Sequence, residues 1–191
     1  ADAAGRAGET AGLARFLEAG LERADLSPDQ RAARIGLLTE VAGDAASLPW
    51  LRRLAETSEG EEWLYAYADA ARRLGRGDEL AGLIERQLGR ADLGPQAREA
   101  RISLLVEAAG PQKALPYLRR QALEDGGNWL FAYQDALTRL GRADELADVL
   151  EARAGRPGVT AEERRQIAFQ LLEAGRKGAA ETQLRRLAAA G

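Results

Sequence analysis

Apolar residues recur along this chain with a helical period, and the period restarts at regular intervals. Counting back from Gly141, Leu140, Leu137, Tyr133 and Leu130 fall on one helix face. The same offsets from Gly75 give Leu74, Ala71, Tyr67 and Leu64. From Gly110 they give Ala109, Val106, Ile102 and, as a polar exception, Glu99. Beyond the glycines a second stripe begins: Leu146, Val149 and Leu150 in one place, Leu80, Leu83 and Ile84 in another. No useful length alternates with period two, so no strand is predicted. The predicted helices cover 8–23, 29–42, 44–57, 61–74, 77–90, 96–109, 111–124, 128–140, 142–154, 160–174 and 176–189.

The pattern repeats because the sequence does. WLYAYADAARRLGRGDEL at 63–80 returns as WLFAYQDALTRLGRADEL at 129–146, an offset of 66. RADLSPDQRAARIGLLTEVAG, ending at Gly43, returns at an offset of 67 as RADLGPQAREARISLLVEAAG, ending at Gly110. SLPWLRR at 47–53 and ALPYLRR at 114–120 share that offset. This unit divides again, for Gly43, Gly75, Gly110, Gly141 and Gly175 stand 32, 35, 31 and 34 residues apart. A short turn between antiparallel helices needs a residue that accepts positive φ, which glycine does without a Cβ penalty. Gly8 lies 35 before Gly43, so the chain is expected to open inside an earlier repeat. Pro111 suits a first helical position. Asp25 and Asp92, beside Pro28 and Pro95, are candidate caps. Pro49 and Pro116 fall within second helices and are expected to kink them.

Composition narrows the chemistry. Apolar residues make up 46% of the 191 and charged residues 30%, enough to fold. The net charge of −3 offers no basic excess for nucleic acid. Cys, His and Met are absent, which removes disulfides, thiolates, imidazole bases and histidine metal ligands. No cofactor is implied. No apolar run approaches the roughly 18 residues that span a bilayer. Lacking Met at its start, the chain is expected to be a piece of a longer array.

These residues resemble tetratricopeptide repeats, which place a small residue between large apolar ones ahead of the glycine. Here the small site holds Gly36, Ala68, Ser103 and Ala168, but Gln134 in the fourth pair. The alanines favoured in the second helix are replaced by Leu48, Leu80, Leu115 and Leu146 at the first site, where only Ala180 agrees. At the second, Ala55 and Ala122 agree, while Gln87, Arg153 and Leu187 do not. The resemblance covers nearly the whole chain and implies an all-α, right-handed solenoid of about five helix pairs plus a leading half. It implies one domain, 1–191, with repeats near 1–28, 29–60, 61–94, 95–127, 128–159 and 160–191. The Ala-, Leu- and Arg-rich repeats with a two-repeat superperiod are also similar to the periplasmic arrays of bacterial exopolysaccharide export proteins of the PelB type. That resemblance implies a place on the periplasmic side of the outer membrane and a partner such as a polysaccharide hydrolase or deacetylase.

In a solenoid the first helices line a concave face. Projecting the period onto it selects Tyr65, Asp69, Arg72 and Arg73 from the second pair, Phe131, Asp135 and Arg139 from the fourth, and Arg165 and Phe169 from the fifth. Rings there would anchor a protein partner, with arginines gripping carboxylates; alternatively, the rings pack between helices and the charges form i, i+4 pairs. Trp63 and Trp129, at equivalent places, read better as packing than as sugar platforms. Asp69 and Asp135 lie two repeats apart, too far for the carboxylate pair of a glycosidase. No phosphate loop, nucleophile elbow or metal cluster is present. The reading is thus a non-catalytic scaffold, with direct polysaccharide binding as the alternative and an all-helical polysaccharide-processing enzyme behind both. Self-association through an uncapped end, with Leu13, Phe16 and Leu17 as its face, is a further expectation.

Overall fold

The computed structural model describes residues 2–57 and 61–190. The expected repeat boundary at residue 60 lies outside them. Ten α-helices follow one another: α1 (Asp2–Leu21), α2 (Pro28–Ala42), α3 (Asp44–Thr57), α4 (Glu62–Arg73), α5 (Gly77–Leu88), α6 (Pro95–Glu124), α7 (Asn128–Arg139), α8 (Leu146–Ala154), α9 (Ala161–Glu173) and α10 (Lys177–Ala190). A 3-10 turn at Ala143–Glu145 leads into α8. No strand occurs among the described residues. The chain forms two compact units, 1–104 and 105–191, which meet within α6. In the first, α1 packs on α2, α2 on α3, α3 on α4 and α4 on α5; in the second, α7 packs on α8, α8 on α9 and α9 on α10. No described helix is long and apolar enough to cross a membrane.

The predicted stripes form the core. Leu64, Tyr67 and Ala71 of α4 are buried, as are Leu130, Tyr133 and Leu137 of α7. Leu80, Leu83 and Ile84 face them from α5, and Leu146, Val149 and Leu150 from α8. Helices of about twelve residues are marginal alone, so this burial is what holds them. The small site is buried at Ala68 and Ala168, where neighbouring backbones come close, but Gly36, Ser103 and Gln134 are exposed. The turn glycines behave as their spacing predicts: Gly43, Gly75, Gly110, Gly141 and Gly175 have φ of 81, 68, 79, 68 and 75°.

Several local expectations change. Gly8 lies inside α1 without a positive φ, so it makes no turn; helical torsions cost glycine entropy but need no reversal there. The helices expected at 96–109 and 111–124 run as one element, broken only at Gly110. α3 continues through Pro49, and α6 shows no non-helical torsion at Pro116, so neither proline breaks its helix. Asp25 and Asp92 do not cap. Each carboxylate takes a two-pronged bond from the arginine two residues before it, Arg23 or Arg90. The cap of α2 is Ser27, whose Oγ accepts from the Gln30 amide while the Gln30 side chain accepts from the Ser27 amide. Leu17 is buried against α2, which leaves only Leu13 and Phe16 exposed on that face of α1.

The pattern reading missed a set of buried polar ties. Arg153 is 5% exposed, yet its guanidinium is fully engaged. It donates to Glu163 at 2.8 and 3.0 Å, and to the carbonyls of Leu123, Glu124 and Asp125, where α6 ends. Terminal carbonyls have no helical partner, and the fork supplies one. Gly126 makes room: its φ is +67°, and a Cβ there would collide with this same pair. In the first unit Gln87 donates to the Ala55 carbonyl at 2.6 Å and accepts from Arg101 at 3.0 Å. Burial lowers the Arg101 pKa from its ordinary value, and Glu61 at 3.7 Å opposes the shift.

Gly141→Ala pays only for torsion, since nothing lies within 4 Å of a new Cβ, and should cost about 1–2 kcal/mol in urea denaturation. Gly126→Ala should cost more, because the side chain also displaces the Arg153–Glu163 pair. Arg153→Met leaves Glu163 and three carbonyls without their donor, and should destabilise the fold by about 3–5 kcal/mol. A loss below about 1 kcal/mol in the same urea assay would show that water replaces the fork.

Candidate functional site

On α4 the pattern that buries Leu64, Tyr67 and Ala71 turns Tyr65, Asp69, Arg72 and Arg73 outward. Tyr65 is 44% exposed. Arg72 bonds Asp69 three residues back along its own helix. Arg73 does something else. Its guanidinium makes two bonds to the Asp44 carboxylate, at 2.6 and 2.8 Å, tying the end of α4 to the start of α3. That hydrogen bond holds the Asp44 carboxyl below the ordinary carboxylate range. Asp44 also sits in the first turn of α3, where the helix dipole favours an anion. The fork assigned to a partner's carboxylate is therefore occupied by one of the protein's own.

The second unit brings together more of the predicted residues. Phe131 of α7 is 51% exposed and Phe169 of α9 is 57% exposed, with Leu172 open beside it. Gln170 donates to the Gln134 side chain at 3.3 Å, which sets these two helix faces side by side. Asp135 pairs with Arg139 at 3.0 Å across one turn, and Arg165 pairs with Glu162. Exposed pairs of this kind hold their charges only loosely. They form a charged border around the rings.

Next to this face, an open cleft of about 320 Å³ runs between the start of α7 and α9. Leu130 and Ile167 form its floor, and Asp125, Glu162, Glu163, Gln166 and Gln170 line it. The Gln170 carbonyl oxygen is buried without a partner. The sequence reading had placed Glu162 on the inward face but did not connect it with Asp125, because that contact joins a loop to a helix 37 residues on.

Trp63 and Trp129 are half-buried, as are Trp50 and Tyr117. Asp69 and Asp135 each bond an arginine of their own helix. Among the described residues no three acidic side chains gather where a metal could sit. What the second unit offers is a mixed surface: two exposed rings, an exposed leucine, and paired charges around them. Comparison of the chain with protein-family models, curated proteins and solved structures finds no match.

If the exposed rings contribute little to packing, the double variant Phe131→Ala, Phe169→Ala should unfold within about 0.5 kcal/mol of the parent. Tyr133→Ala, from the buried face of the same α7, should lose about 3–5 kcal/mol. Equal losses in a urea titration would mean that the phenylalanines are core residues.

Proposed function

We propose that this chain is a non-catalytic docking scaffold for another protein, built from tetratricopeptide-type repeats. The observation that carries the reading is the pair of exposed rings, Phe131 and Phe169, on adjacent helices with a border of Arg–Asp and Arg–Glu pairs. Isolated exposed apolar residues need no explanation, but a cluster with a polar rim has the composition of an interface. Large rings also supply most of the binding energy where interfaces concentrate it.

Under this reading the helix pairs stack as a right-handed solenoid of about five repeats after a leading half, and the first helices form its inner face. Tyr65, Asp69 and Arg72 would belong to that face as well. Arg73 would support it through Asp44. The sequence resemblance to exopolysaccharide export proteins makes the proposed partner a polysaccharide hydrolase or deacetylase on the periplasmic side of the outer membrane.

The test is a pull-down from a bacterial envelope extract with the parent chain and with the Phe131→Ala, Phe169→Ala variant, whose folding is checked separately. A polysaccharide-modifying enzyme retained by the parent and lost by the folded variant is the expected result. If neither chain retains such an enzyme but the parent is retarded in a polysaccharide affinity gel, the face binds polymer and the scaffold reading fails.

A further inference from the structure

The two-repeat offset has a structural counterpart away from the aromatic face. In the first unit an open cleft of about 330 Å³ lies between α3 and the start of α5, lined by Pro49, Arg52, Arg53, Glu56, Arg76 and Glu79. In the second, a cleft of about 360 Å³ is lined by Pro116, Arg119, Tyr133, Arg142 and Glu145. These are the same positions, offset by 67 for Pro49 and Arg52 and by 66 for Arg76 and Glu79. Each cleft holds one more guanidinium than carboxylate among its lining residues.

A buried phenol distinguishes them. In the second unit Arg119 bonds the Tyr133 hydroxyl. In the first, the equivalent Tyr67 is fully buried and its hydroxyl has no partner. One residue accounts for the difference. Glu56 draws Arg52 to itself at 3.1 Å and also takes Arg86 at 3.2 Å. Its counterpart is Leu123, which leaves Arg119 to the phenol. The charges acting on the Tyr67 hydroxyl are Glu79, Arg52, Glu56 and Arg76, all from the cleft lining. A buried hydroxyl without an acceptor is costly, and native structures rarely leave one so.

We propose that these clefts each bind a carboxylate side chain of an extended acidic peptide segment in a partner protein. A carboxylate balances the extra guanidinium, and in the first cleft it also accepts the Tyr67 hydroxyl proton in a hydrogen bond. The ion pairs already there are exposed and weak, so an incoming carboxylate can exchange for Glu56 or Glu79. A peptide fits better than a sugar acid because of the prolines. Each exposed ring gives the cleft an apolar edge. Each also lacks an amide, so the carbonyl of Ala45 or Gln112 has no i+4 donor and is open to a peptide N–H. The inference does not depend on the aromatic face.

The experiment follows the arginine side-chain N–H signals of the isotope-labelled chain by NMR. A capped peptide rich in Asp and Glu is added, then, separately, oligogalacturonate, and sodium chloride at matched ionic strength. Saturable movement of Arg52, Arg76, Arg119 and Arg142 with the peptide, not reproduced by salt, is expected. Arg76→Ala should abolish the response of the first cleft only, and Arg142→Ala that of the second only. Tyr67→Phe should weaken the first cleft about tenfold and leave the second unchanged. Backbone amide spectra establish that each variant is folded. The proposal is overturned if the arginines stay still, if salt reproduces the shifts, or if Tyr67→Phe binds like the parent. Binding of oligogalacturonate alone would overturn the peptide assignment in favour of a sugar acid.

Discussion

Helices of nine to fifteen residues cannot hold themselves in water, and every other feature of this chain follows from that constraint. Each must lay an apolar stripe against a neighbour before it has a reason to form. Tyr67 and Tyr133 are among the largest fully buried side chains, and each lies at the centre of such a stripe. The stripe works only if the chain reverses at a fixed residue, so that the next helix returns in register. The left-handed glycines provide that reversal. Their spacing is therefore a packing requirement, and it is as regular as the helices are short.

Short helices have proportionally many ends, and an end exposes backbone carbonyls or amides that must be satisfied. At some ends the solution is local, as with Ser27 and Thr160, whose side chains accept from the first helical amides. Where an end is covered by the next helix, a long polar side chain comes in from a distance. Arg153 does this for the end of α6, Gln87 for the Ala55 carbonyl near the end of α3, and Arg164 for the Ala154 carbonyl ending α8. Each tie joins the close of one helix to another element, so burial and backbone satisfaction are met by the same contact.

The architecture was legible in the sequence because both of its determinants are periodic. Leu130, Tyr133 and Leu137 read as a buried face from spacing alone, and Gly141 read as a turn. The misses concern contacts that spacing does not encode. Gln87 and Arg153 looked like departures from a small-residue rule, whereas they are the buried ties. Asp44 has no local signal that would pair it with Arg73, 29 residues away. Gly8 kept the glycine interval without the reversal, since a glycine permits a left-handed turn but does not impose one. Of the candidate face, the exposure of Tyr65, Phe131 and Phe169 followed from the helical period. Whether each charge was free did not, because that depends on side chains from other elements.

Duplication followed by local divergence gives the chain two kinds of surface. Where positions stayed fixed, as with Arg76 and Arg142 or Pro49 and Pro116, the same cleft recurs. Where one position changed, the chemistry moved without disturbing the fold: Leu123 in place of a glutamate redirects Arg119 from a carboxylate to a phenol. The aromatic face changed in a different way. Measured from the turn glycine, Phe169 stands where α7 has Asp135, and Arg165 stands where it has Phe131. The exposed ring has therefore shifted by one helical turn between neighbouring helices of the second unit. An apolar strip that steps along one helix axis as it crosses to the next is oblique to both. A partner that follows it must also run across the helices, passing the Asp135–Arg139 pair on α7 and the Arg165–Glu162 pair on α9. The repeat supplies the spacing of these contacts, and its imperfections set their direction.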